Sequence, residues 1–224
     1  MPYDSLFCKK EHGCYNIAGE IAMRILYLFL VEFLAGSVMF SYIIGKLFDK
    51  DIRQFGDGNP GSFNLKRALG LKASLIGSVL DYSKGAFPLH YIIHHYELNS
   101  YQIAIIAVAP ILGHMFSPML KFKGGKAVSV SFGVWTALTD SVVALFYATM
   151  VVVFILVFHK NYEESPEYNA IRINFSFLVT GIFIFFYFKS LFLVWAVNFL
   201  LLLFAHRREL YSAFESFAFR FKNP

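Results

Sequence analysis

Apolar stretches of roughly bilayer length alternate with short polar turns along most of this chain. A first run covers residues 24–47, and a polar loop rich in Gly, Asn, Lys and Arg follows at 48–71. Further runs cover 72–95 and 101–120. The stretch 127–158 is too long for one comfortable span and is interrupted by Thr139, Asp140 and Ser141, so it reads as two helices, the first of them short. A polar turn at 161–168 follows, with Pro166 as a breaker. Two more runs cover 171–188 and 190–206, with Lys189 at the turn between them. A helix of about 20 apolar residues crosses a bilayer. The pattern therefore predicts an all-α integral membrane protein with about seven transmembrane helices. Residues 1–23 are expected to form a polar N-terminal segment, 24–206 the membrane domain and 207–224 a basic cytoplasmic tail.

Composition agrees with the pattern. Of 224 residues, 57% are hydrophobic and only 16% charged, where soluble domains carry roughly 25% charge; the mean hydropathy is +0.55. No separate soluble domain is expected. The first apolar run is longer than the core of about 7–15 residues in a cleaved signal peptide.

The net charge of +5 comes largely from short basic loops. Such loops set topology and touch anionic lipid, so membrane lipids are expected partners and nucleic acid is not. Lys50, Arg53, Lys66 and Arg67 share one loop, Lys121, Lys123 and Lys126 the next basic turn, and the turn around 97–100 between them holds no Lys or Arg. Both basic loops are thus expected on the cytoplasmic side of the cell membrane. The N-terminus is then outside, and the C-terminus, with Arg207, Arg208, Arg220 and Lys222, is cytoplasmic. Lys9, Lys10 and the acidic turn at 163–167 fit this scheme less well. Cys8 and Cys14, with His12 between them, lack recognisable metal-ligand spacing and read as unpaired cysteines.

Three polar clusters then share the cytoplasmic face. The first, DIRQFGDGNPGSFNLKRALG at 51–70, has Gly56, Gly58 and Gly61 for unusual backbone angles, Asn59 and Asn64 as amide donors, and Arg67 as a planar fork suited to phosphate. A glycine-rich connector beside an ordinary arginine is the plainer alternative. The second runs from GHMFSP, with His114 and Pro118, to KFKGGK, where Lys123 and Lys126 flank Gly124 and Gly125. Backbone N–H groups freed by the glycines, two ammonium groups and a following helix N-terminus would suit a phosphate oxyanion. A basic turn that merely fixes orientation is the alternative; the spacing is not that of a Walker A loop. The third, AHRREL at 205–210, reads more simply as a stop-transfer anchor than as a site. Asp81 and Lys84 lie inside a span, three residues apart, and read as a structural pair supporting the site.

Taken together these stretches resemble the bacterial acyl-phosphate:glycerol-3-phosphate acyltransferases. The resemblance begins at AGSVMFSYIIGKLF, with Gly36 and Ser37 in place of that family's Gly-Ser element. It continues through the 51–70 loop, LDYSKGAFP, GHMFSP and FKGGKAVS, and ends at the His-Arg of the last cluster. It implies a seven-helix membrane enzyme whose active site faces the cytoplasm. Its substrates would be acyl phosphate and glycerol 3-phosphate, its product lysophosphatidic acid for phospholipid biosynthesis, and it would use neither metal nor nucleotide cofactor.

The resemblance also implies site residues. Arg67 matches the arginine of the first family motif, Gly124, Gly125 and Lys126 its phosphate-binding loop, and His206 the histidine of the third motif. The expected arrangement has the 123–126 loop, with Ser37, His114 and Asn64, around substrate phosphate, and Arg67, Asn59 and His206 orienting the reaction. Asp57 is a candidate general base. Four positions depart from the family pattern: Asp57 stands for its serine, Phe63 for a threonine, Glu209 for an asparagine and Phe217 where a glutamate is expected. A non-catalytic or substrate-shifted paralogue, binding a lipid or phosphometabolite, is therefore the alternative function. Oligomeric state is not legible in the sequence.

Overall fold

The structure is a computed structural model that describes the backbone of residues 13–158 and 165–222, with side chains from 18–158 and 165–218. The side chains of Cys8, His12, Cys14, Arg220 and Lys222, and Glu163 and Glu164 of the acidic turn, lie outside what is described.

The described residues are helical with short connections. Helix α1 (Gly13–Ser37) breaks at Val38 and Met39 and resumes as α2 (Phe40–Leu47). A loop containing one turn of 3₁₀ helix leads to α3 (Ser62–His95). Then come α4 (Ser100–Met115), α5 (Val128–Thr139), α6 (Val142–Val157), α7 (Pro166–Tyr187), α8 (Phe192–Ala205) and α9 (Arg207–Lys222).

Local chemistry explains several boundaries. Asn99 and Gln102 form a reciprocal capping box at the start of α4. Ser165 caps α7 by accepting from the Tyr168 N–H at 3.1 Å. Pro166, read as a breaker, occupies the first helical position, where a missing N–H costs no intrahelical bond. The predicted split of 127–158 occurs at Asp140 and Ser141, both with positive φ. Two boundaries differ from the expectation. Helix α3 starts at Ser62, inside the expected loop, and accommodates a kink at Gly70, whose φ of 84° and ψ of 179° favour glycine. The basic tail is itself helical, as α9.

Among the described residues, three segments are long and apolar enough to cross a membrane: Ala18–Leu47, Ser100–Leu120 and Pro166–Tyr187. A fourth results if Lys189–Ala205 and Arg207–Ala218, bent by 67°, count as one broken span. The expectation of seven is larger because it also counted α3, α5 and α6. Helix α3 carries Asp81 and Lys84 inside, and α5 and α6 have only 12 and 16 residues, about 18 and 24 Å against a hydrocarbon core of about 30 Å.

Helix α5 forms the centre. Val130, Val134 and Trp135 are fully buried, α3 packs along it, and α1 packs against α4. A Cβ at Gly133 would collide with the Tyr82 carbonyl oxygen of α3, so the two backbones are in direct contact. Asn198 of α8 bridges Trp135 Nε1 and Ser131 Oγ, each at 3.0 Å, and satisfies polar groups that are otherwise deeply buried. Large apolar side chains such as Leu34, Val79, Phe87, Leu156, Phe186 and Leu200 face outwards, as lipid contact requires.

The α1–α2 break is closed from α3. Asp81 accepts from the Phe40 N–H at 3.3 Å, the Ser41 N–H at 3.4 Å and the Ser41 hydroxyl at 2.7 Å. Lys84 Nζ lies 2.8 Å from Asp81 Oδ1 and donates to the Val38 carbonyl. The pair thus supplies partners to backbone groups that the break frees. Ser117 adds a hydrogen bond of 2.6 Å to the Ser37 carbonyl.

Candidate active site

Residues from six parts of the chain converge on one cavity of about 270 Å³. The loop before α3 supplies Asp57, Asn59 and Gly61; α3 supplies Phe63, Lys66, Ser74 and Asp81. The start of α5 supplies Lys126, Val128 and Ser129, and α7 supplies Asn169 and Arg172. His114 and His206 also line it, from the ends of α4 and α8.

The loop is shaped by its own polar side chains. Asp51 accepts from the Arg53 N–H at 3.1 Å and pairs with its guanidinium at 2.6 and 2.9 Å, which holds the Asp51 carboxyl well below the usual range. Gly56 and Gly58 take positive φ, and a Cβ at Gly56 would collide with Asn64 Oδ1. Asp57 Oδ1 accepts from the Asn59 N–H at 3.1 Å and from Asn64 Nδ2 at 2.8 Å. Asn64 Nδ2 also bonds the Asn59 carbonyl at 2.9 Å. One carboxylate therefore fixes the loop with one oxygen and leaves the other for the cavity.

That second oxygen meets Lys126. Lys126 Nζ is 2.6 Å from Asp57 Oδ2 and 2.9 Å from Glu209 Oε1, with side-chain exposures of 16%, 10% and 12% in the order Lys126, Asp57, Glu209. Burial alone would raise the Asp57 pKa, but the Lys126 hydrogen bond and charge outweigh it and hold the carboxyl below its usual value. Glu209 belongs to α9, so the terminal helix closes one side of the lysine. Its other oxygen, Oε2, is buried without a hydrogen-bond partner.

The glycine pair has a different task from the one expected. The Gly124 N–H donates to the Met115 carbonyl and the Gly125 N–H to the His114 carbonyl, both at 3.0 Å, so neither is free for an anion. A Cβ at Gly124 would strike the His114 carbonyl oxygen, and one at Gly125 the His114 ring. The glycines let the segment after α4 lie flat on the end of that helix, which aims Lys126 and the N-terminus of α5 into the cavity.

The remaining expected residues divide by location. His206 is buried, with Nδ1 2.9 Å from the Leu202 carbonyl, which leaves Nε2 as the other working nitrogen. His114 is buried with Nδ1 unpartnered. Arg67 is exposed, outside the cavity lining, with its guanidinium 4.7 Å from the Phe63 ring centre. Lys123 is exposed and also outside the lining. Ser37 is at the helix break, its hydroxyl donating to the Leu34 carbonyl at 2.7 Å. Sequence reasoning missed Asn169 and Arg172. Their signal is two polar residues three apart in the first turns of an otherwise apolar helix, and Arg172 Nη2 bonds Asn169 Oδ1.

Chemically, the cavity offers an ammonium held by two carboxylates, a helix N-terminus, further cations on α3 and α7 and two buried histidines. That set suits a phosphorylated substrate whose anionic oxygens displace the carboxylates.

Comparison with known proteins agrees. A sequence profile of the family described as glycerol-3-phosphate acyltransferase matches residues 26–215. Glycerol-3-phosphate acyltransferase 1 of Thermotoga maritima is 39% identical over 192 residues, covering 82% of this chain and 95% of that protein. The glycerol-3-phosphate acyltransferase of Aquifex aeolicus is 33% identical over 156 residues, 70% of this chain and 80% of its own. The crystal structure of PlsY (YgiH), an integral membrane glycerol 3-phosphate acyltransferase, superposes in its glycerol 3-phosphate form with a TM-score of 0.76 at 28% identity, covering 86% of this chain and 93% of that one. Its lysophosphatidic acid form gives 0.75 at 27% identity with the same coverage.

Proposed function

This chain belongs to the glycerol-3-phosphate acyltransferase family, and on that premise we propose that its cavity transfers a fatty acyl group from acyl phosphate to the 1-hydroxyl of glycerol 3-phosphate. The protein is a membrane acyltransferase of phospholipid synthesis. The product of the proposed reaction is lysophosphatidic acid.

The observation that carries the reading is Lys126, held at the entrance to α5 between Asp57 and Glu209. A substrate phosphate, with more charge than either carboxylate, takes their place on the ammonium. N–H groups in the first turn of α5, beside Val128 and Ser129, add donors on the same side. Arg172 faces the cavity from α7 as a cation for the second phosphate. Asn59 and Asn64 keep the loop in register, Arg67 braces it from outside against Phe63, and His206 presents Nε2 to the reacting groups.

Acyl phosphate is already activated, so positioning and charge stabilisation supply most of the catalysis. The hydroxyl oxygen attacks the acyl carbon, the carbon–oxygen bond to phosphate breaks, and inorganic phosphate leaves. When Lys126 turns to phosphate, Asp57 loses the cation that depresses its pKa. Burial then favours its protonated form, and it accepts the hydroxyl proton.

The active site faces the cytoplasm in this reading, with seven crossings and the N-terminus outside, because both basic loops border the cavity end of the bundle. The decisive experiment is purified protein in liposomes with glycerol 3-phosphate and one donor at a time: acyl phosphate, acyl-carrier thioester or coenzyme A thioester. Lysophosphatidic acid from acyl phosphate alone is expected. Equal or better turnover of either thioester overturns the donor assignment.

A further inference from the structure

The end of the bundle away from the cavity carries a second cluster of chemistry-bearing side chains. His90 and His94 occupy successive turns near the end of α3, and Asp140 lies in the turn between α5 and α6. All three are exposed, and one ligand atom from each lies within 4.8 Å of the others. Helices α3 and α5 run in the same direction from the cavity, so this cluster is roughly 14 Å beyond Asp81 along α3, at a rise of about 1.5 Å per residue.

From this geometry we infer that His90, His94 and Asp140 bind a divalent transition cation of the zinc type. Three features carry it. Histidines at i and i+4 present their rings on one helix face, and here the ring centres are 4.0 Å apart. His94 Nδ1 is 2.8 Å from the His90 carbonyl oxygen. That bond places the proton on Nδ1 and leaves the Nε2 lone pair for metal, the arrangement by which backbone carbonyls orient metal-binding imidazoles. Asp140 is brought by a different element, in a turn with φ of 45° at Asp140 and 74° at Ser141. The Ser141 N–H bonds the Thr136 carbonyl at 3.1 Å, and the Val143 N–H bonds Thr139 Oγ1 at 3.2 Å, so the turn is built before metal arrives.

The donor set decides the class of ion. Two imidazole nitrogens and one carboxylate oxygen favour zinc and its neighbours over calcium or magnesium, which take oxygen ligands. Bond lengths of about 2.0–2.1 Å in a tetrahedral shell put ligand atoms about 3.4 Å apart. Closing from the present spacing needs only rotation of exposed side chains, and water completes the shell. The bound ion clamps the end of α3 to the α5–α6 turn. It stands apart from the acyl-transfer reaction and does not depend on the donor assigned above.

The test uses full-length protein in detergent, with its affinity tag removed and Cys8→Ser and Cys14→Ser introduced, because those residues flank His12 and could hold zinc themselves. Calorimetric titration with Zn²⁺ is expected to show one saturable site, and Ca²⁺ none. His94→Ala and Asp140→Ala should each weaken Zn²⁺ binding about tenfold or more. His95→Ala should not, since the His95 ring stacks on Tyr91 and lies outside the group formed by His90, His94 and Asp140. Acyltransferase activity without added metal should be unchanged in all three, which shows that they fold. Absence of Zn²⁺ binding, equal binding of Ca²⁺, or undiminished Zn²⁺ affinity in His94→Ala overturns the inference.

Discussion

Lys84 and Lys126 are both held within 3 Å of carboxylate oxygens, yet only Lys126 lines the cavity. Lys84 is nearly inaccessible at 4% exposure, and its partners are Asp81 and a backbone carbonyl. Displacing those partners would reopen the α1–α2 break. Lys126 bonds two side chains, one from a loop and one from a terminal helix, and both can be replaced by another anion without undoing a helix. The same residue type thus serves as a structural strut where its partners are backbone, and as a ligand-binding group where they are exchangeable carboxylates.

Four single substitutions and one double variant test that contrast, the largest effect first. Lys126→Ala should lower turnover by about a thousandfold with little change in melting temperature in detergent. A variant that melts early but keeps its activity would make Lys126 the strut. Lys84→Met leaves Asp81 buried without its cation, an effect of about 3–5 kcal/mol. It should show as loss of folded protein in size-exclusion chromatography, and Asp81→Asn combined with Lys84→Met should recover part of the yield.

Asp57→Ser removes one of the two carboxylates on Lys126. Asp57 has a folded pKa below its ordinary 3.8, so its stabilising pair is fully present above that value and is lost as pH falls through the depressed one. Acid unfolding below about pH 4 should flatten in Asp57→Ser. If Asp57 accepts the hydroxyl proton, turnover also falls; a rise in turnover would mark it as an obstacle. The smallest effect belongs to Glu209→Gln. Freeing Lys126 from one competing carboxylate should lower KM for glycerol 3-phosphate by roughly threefold with kcat little changed, and a raised KM would show that Glu209 positions the lysine.

The fold was legible where apolar length and turn chemistry report it. The interruption at Asp140, the polar turn before Pro166 and the apolar run of α4 follow from local preferences. The resemblance and the basic turns brought Asp57, Lys126 and His206 to one site. What could not be read were the partners. Asp57 and Lys126 are 69 positions apart, and periodicity within a helix does not reveal which loop meets its end. The glycine pair misled for a related reason: glycine signals either unusual backbone angles or close approach, and here the neighbour that demands it, His114, comes from the preceding helix. Arg172 lies at the start of the apolar run at 171–188 and Asn169 falls just before it, so neither stood out as part of a polar cluster.

The break between α1 and α2 bears on how the chain enters its membrane. Until α3 has been synthesised, the freed N–H groups of Phe40 and Ser41 and the carbonyl of Val38 would face hydrocarbon alone. An isolated α3 would carry Asp81 and Lys84 into the same medium, where each charge at mid-depth costs about 2.5–3.5 kcal/mol. Neither segment is a comfortable passenger by itself. Together they cancel each other's defects, so nascent α1–α2 should wait at the insertion machinery for α3 and partition into lipid with it as one hairpin.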